Sequence, residues 1–145
     1  MPESEYDFEK LSREIVVSQF KGEPDAPAKT AALVKRTIID AVRGTRAVGH
    51  PVDVIVRQIV AGAMGGLLLI DRPLPVSAVA MLRSTAEAAQ EVGVDASEMM
   101  TWAMEGLSRV TPLVQPPVIA AIQEEIEGSF MGAGEVFAEL CRKTQ

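Results

Sequence analysis

Apolar residues recur at spacings of three and four along most of this chain, and clusters of proline and glycine interrupt them at intervals. That period marks amphipathic helices, because about 3.6 residues per turn brings such positions onto one face. Six helical segments follow from it. The first spans Glu5 to Phe20, with Phe8, Leu11 and Ile15 on one stripe. Gly22-Glu23-Pro24-Asp25-Ala26-Pro27 ends it, since prolines that close together do not fit inside a helix. Residues 1–27 therefore form an acidic N-terminal helix or arm with a Pro-rich linker, and residues 28–145 form a helical bundle domain.

The second segment runs from Lys29 to Val48 and turns Val34, Ile38, Ala41, Thr45 and Val48 inward, until Gly49-His50-Pro51 stops it. Pro51 then suits the first turn of a third segment, Val52 to Ile70, whose second half is apolar all round and belongs at the centre of the fold. After Asp71-Arg72-Pro73-Leu74-Pro75 comes a fourth, Val76 to Val92, closed by Gly93 as a left-handed cap. Asp95 with Glu98 opens the fifth, which carries Met99, Ala103, Met104 and Leu107 to Val110. A connector rich in proline, Thr111 to Pro117, leads to the last. Ile119, Ile122, Ile126, Phe130, Ala133, Phe137 and Leu140 predict one continuous helix from Val118 to Arg142. At 1.5 Å per residue such a helix is about 37 Å long, enough to outreach the domain and offer an apolar stripe to a second copy.

No strand reading competes: the Val- and Ile-rich stretch around Ile55 to Val60 lies inside a longer helical period, and no hairpin turn joins two such runs. The expected fold is all-α, a compact bundle of five to six helices with short Pro/Gly-containing connections and a long C-terminal helix. A weak helical-hairpin pseudo-repeat accompanies it: Val48-Gly49, Gly62 and Pro73 recur as Val92-Gly93, Gly106 and Pro117 at one offset.

Composition refines this picture. Aromatic residues make up 4% of 145, so the core is built from Ala, Val, Ile, Leu and the seven Met residues. Cys141 is the only cysteine, which excludes an intrachain disulfide and agrees with a reducing compartment. The acidic N-terminus lacks the basic-then-apolar order of a signal peptide. The longest unbroken apolar run, Ile59 to Ile70, has twelve residues, against roughly 18 for a membrane span. A soluble, cytoplasmic protein without a transmembrane segment is the expectation, with peripheral membrane contact left open.

Candidate chemistry is sparse. His50 is the only histidine, so sites needing two in one chain fail. Cysteine pairs, a phosphate loop and a Gly-x-Ser-x-Gly elbow are absent, and Gly132-Ala133-Gly134 lacks the rest of a dinucleotide fingerprint. Ser18 and Lys21 match a nucleophile–lysine spacing, but at a frayed helix end. Glu124/Glu125/Glu127, Glu87/Glu91 and Glu135/Glu139 are paired carboxylates; a solvated acidic face explains them better than a metal site. No catalytic, cofactor-binding or metal-binding residues are assigned, and no cofactor is expected.

Charge is unevenly placed. Residues 1–27 carry net −4, residues 28–86 net +5 and residues 87–145 net −7, which sum to −6. Lys29, Lys35, Arg36, Arg43 and Arg46 fall within a sector of about 120° on the second helix, at 100° per residue. This basic face is a solvated surface, a partner for the acidic last helix within the chain or across a dimer, or an anion site. Nucleic acid is the least suitable anion for so acidic a chain with so few aromatic residues. Gly62-x3-Gly66, with Ala61-x3-Gly65 alongside, and Gly128-x3-Gly132 mark close helix packing or a dimer contact, together with Phe130 and Phe137. The resulting expectation is a non-enzymatic helical protein–protein interaction or assembly module that self-associates as a homodimer. The alternatives are an amphipathic surface-active protein coating anionic membranes or hydrophobic inclusions, and a small-molecule binder or an enzyme with an unfamiliar site near Met99, Met100, Trp102 and Met104.

Overall fold

A computed structural model describes residues 7–45 and 51–144. Among these the chain is all-helical, with seven α-helices packed against one another and no strand. They are α1 (Phe8–Phe20), α2 (Ala26–Thr45), α3 (Val52–Leu69), α4 (Leu74–Val92), α5 (Ala96–Ser108), α6 (Pro116–Ser129) and α7 (Ala133–Thr144), with a 3-10 turn at Thr111–Leu113.

Local chemistry sets the ends. Asp7 caps α1 by accepting from the Lys10 amide, and the Asp95 carboxylate caps α5 through the Ser97 and Glu98 amides. Gly93 closes α4 with φ +74°, a conformation that glycine adopts at no steric cost. Prolines act differently from expectation at four helix starts, and α6 begins at Pro116 rather than after Pro117. Pro27 and Pro75 lie within the first turns of α2 and α4, where the missing N–H would have no helical partner, so both helices begin earlier than the sequence suggests. Pro51 is the N-cap of α3 rather than a first-turn residue.

α3 is the central helix, and Ile55, Val56, Ile59, Val60, Met64 and Leu67 are all within 2% of full burial. Burial of each such side chain stabilises by about 1.5–3 kcal/mol before entropy is counted. α1 lies along one side of it, α5 along another, and α2 and α4 also touch it. By length and composition α3 could cross a membrane, with mean hydropathy 1.7 over 18 residues, 56% of them buried inside the fold. Asp53 and Arg57 interrupt its apolar sequence, which is why an unbroken-run criterion passes over it.

The single long C-terminal helix is corrected to two. α6 ends at Ser129, Phe130 takes an extended conformation, and Gly132 has φ +88°. The apolar spacing continues across the break because both helices face the same core: Ile122, Ile126, Phe137 and Cys141 are buried. Periodicity reports which face is buried, and a short turn that preserves the face is invisible to it. The break is held by Glu127, whose two carboxylate oxygens accept from the Gly132 and Gly134 amides at 2.9 and 3.0 Å. An α6 side chain thereby satisfies the amides at the start of α7. Of the pseudo-repeat, Val48 and Gly49 lie outside the described residues.

Candidate functional site

The site begins with three glycines on α3. A Cβ at Gly62 would overlap the Glu9 carbonyl oxygen, and one at Gly66 would stand 2.8 Å from Val16 Cβ, so both permit α1 to lie on the α3 backbone. Gly106 does the same for α5, where a Cβ would come 2.6 Å from the Arg57 carbonyl oxygen. Gly65 differs: a Cβ there would meet only Arg13 Cδ, at 3.7 Å, an ordinary contact. It is not buried under a helix because it faces a cleft.

That cleft has a volume of about 300 Å³ and lies where α1 and the end of α5 flank the C-terminal half of α3. Ala61, Gly65, Leu68 and Val110 supply its apolar wall, and Leu69 and Leu113 stand at its mouth, 66% and 69% exposed. Glu9, Arg13 and Arg109 supply its charge. Arg109 donates to Glu9 at 2.8 Å, whereas no ion pair among the described residues engages Arg13. The Arg13 stem lies beside Gly65, so the long side chain covers apolar surface with its hydrocarbon part. α3 stops beside the cleft in a turn where Asp71 takes φ +60° and the Arg72 amide reaches back to the Leu67 carbonyl at 2.9 Å. Leu113 is presented by the 3-10 turn, anchored where the Thr111 hydroxyl donates to the Ser108 carbonyl at 2.7 Å.

The basic face of α2 meets α4. Lys35 pairs with Glu87 at 3.1 Å and Arg43 with Glu91 at 3.7 Å, while Lys29 pairs with Glu23 ahead of its own helix. The acid partner is thus α4 and not the C-terminal helices. Arg36 is exposed, and Arg46 lies outside the described residues. Gly62 and Gly66 receive α1, an intrachain use. Gly128 and Gly132 have open space where a Cβ would stand, so neither marks close packing within the chain. Gly132 serves the turn through its positive φ. Phe137 is fully buried, and therefore no dimer contact in this fold. Phe130 is half-buried with Arg83 above its ring, 5.9 Å from the centroid.

At least one carboxylate of each paired group also has structural employment. Glu87 and Glu91 face the α2 cations, Glu127 caps α7, and Glu139 pairs with Arg142, whose hydrogen bond holds its carboxyl below the usual range. Among the described residues no three His, Cys, Asp or Glu side chains cluster as metal ligands. Arg57 bridges Asp53 at 2.6 Å and Glu105 at 2.7 Å, tying α3 to α5. Burial alone would lower the Arg57 pKa, but the hydrogen bonds to Glu105 and Asp53 outweigh it and raise it. Burial pushes the Cys141 thiol up, away from the reactive thiolate. Ser18 spends its hydroxyl on the Ile15 carbonyl, Met99 and Met104 are core residues, and His50 lies outside the described residues.

Sequence reasoning missed the cleft, with Arg13 and Arg109, and the packing role of Gly106. Ala61-x3-Gly65 was its one visible trace, since a bare helix face at that spacing becomes a cleft wall when flanking helices stop short of it. No family model matches this chain, and neither a curated protein nor a solved structure is significantly similar to it.

Proposed function

We propose that this chain is a non-catalytic helical interaction module that holds an apolar group of its partner in the α1–α3–α5 cleft. The observation that carries this reading is the pair Leu69 and Leu113, two thirds exposed at the mouth of an apolar-walled cavity of about 300 Å³. Apolar surface left in water costs about 25 cal/mol per Å², and exposed leucines gathered around a concavity mark a surface shaped for contact. The cleft sits at the lower end of the ~300–1,000 Å³ range of ligand sites. Gly65 supports the same reading: a helix-interior glycine lowers stability by about 1 kcal/mol relative to alanine, and here it keeps the cleft open rather than admitting a helix.

The test is titration of the methyl-labelled protein with 1-octanol. Saturable shifts at Leu68, Leu69, Val110 and Leu113, abolished by Gly65→Leu, are expected. Shifts spread through the core, or untouched by Gly65→Leu, would overturn the proposal.

Self-association is a second reading, and it moves from the last helix to the turn before it. Met131 is 96% exposed there, with Val136 at 42% on the following helix. Sedimentation velocity should show a concentration-dependent dimer that Met131→Asp weakens; a monomer at every concentration removes this reading.

A further inference from the structure

The cleft carries an unequal charge, and that charge selects among apolar ligands. Two cations and one carboxylate line it. Arg109 and Glu9 neutralise each other at 2.8 Å, which leaves the Arg13 guanidinium as the unbalanced charge among the described residues that line the cleft. Arg13 reaches this position because α1 crosses α3 at Gly62 and Gly66, placing the Arg13 stem beside Gly65. Its half-buried side chain thus sets a planar, five-donor cation at the edge of an apolar cavity.

We infer that the cleft binds a small anionic amphiphile, a monocarboxylate with a short unbranched apolar tail. Its carboxylate would lie on Arg13 and its tail along Ala61, Gly65, Leu68 and Val110. This rests on the cleft reading above and adds the charge and the size of the ligand. Size follows from volume: at about 300 Å³ the cleft stands at the lower end of the range of ligand sites and suits a short acyl chain such as octanoate. The partner that matches is an anion-headed acyl chain. A cationic amphiphile would face Arg13 with like charge, and an uncharged one would gain only the apolar contact.

Isothermal titration of the full chain with octanoate, 1-octanol and octylammonium at low ionic strength decides the matter. Octanoate should bind about fivefold more tightly than 1-octanol, with one site per chain, and octylammonium should bind more weakly than either. Arg13→Gln should bring octanoate binding down to the level of 1-octanol binding to the same variant; Gly65→Leu should abolish both. Equal binding of octanoate and 1-octanol, or an octanoate preference that survives Arg13→Gln, would overturn the charge inference and leave the apolar cleft standing. Failure of both ligands to bind would overturn the cleft reading itself. Far-ultraviolet circular dichroism of each variant confirms that it remains folded.

Discussion

Gly62 lies directly beneath Glu9: a methyl group on Gly62 would overlap the Glu9 carbonyl oxygen and come within 2.9 Å of its carbon. Four residues further along α3, Gly66 stands in the same relation to Val16, while Gly65 between them opens onto the cleft. Three neighbouring glycines therefore respond in opposite directions to one substitution. Gly62→Ala and Gly66→Ala should each destabilise by about 1–2 kcal/mol, the overpacking cost less the gain in helix propensity. Gly65→Ala should stabilise by about 0.5–1 kcal/mol. Urea unfolding of the three variants checks the order; equal effects at all three would refute the docking of α1 described here.

The Arg57 bridge gives a pH signature. Hydrogen bonding to Arg57 outweighs desolvation and holds the Asp53 carboxyl below its ordinary value. A carboxyl depressed on folding contributes stability that is complete above its unfolded pKa, near pH 4, and disappears as pH falls through the folded value. Arg57→Met keeps the hydrocarbon stem and removes the bridge, at a cost of about 1 kcal/mol at pH 7 for so partly exposed a cluster. That deficit should shrink as pH is lowered below about 4. A deficit constant down to strongly acid pH would place its origin outside the Asp53 pair.

At the α6–α7 break, Glu127→Ala removes both acceptors from the Gly132 and Gly134 amides. A loss of about 1 kcal/mol is expected, in the range of helix-cap deletions. Amide hydrogen exchange should accelerate first at those two glycines, and Glu127→Gln should fall between wild type and Glu127→Ala. Unchanged exchange at Gly132 and Gly134 would deny Glu127 its role as the cap.

The α2–α4 ion pairs should contribute little. Side chains of Arg43 and Glu91 are 57% and 56% exposed, and those of Lys35 and Glu87 are 38% and 60% exposed. Solvent and salt screen such pairs, so Lys35→Gln and Arg43→Gln should each shift stability by no more than about 0.5 kcal/mol. Thermal melts in low and high salt measure it; a larger, salt-sensitive loss would make this face a structural network.

Much of the helical content followed from short-range rules that act within a few residues. The cap at Asp95, the left-handed Gly93, the apolar period of α3 and the central place of that helix were all legible from local spacing. Glycine spacing at Gly62 and Gly66 announced a close approach, because an unoccupied Cβ position has few other uses inside a helix. It did not name the neighbour. That α1 and not a second chain fills the space is a fact of tertiary packing. So is the break after Ser129, which preserves the buried face and leaves the period intact. The basic face of α2 was legible as a charge pattern, but its pairing with α4 rather than with the acidic C-terminal helices depends on which helices lie side by side. The cleft was the least legible feature of all. Its walls come from α1, α3 and the turn after α5, and a concavity is the space that packed elements fail to fill, so no single stretch of sequence encodes it.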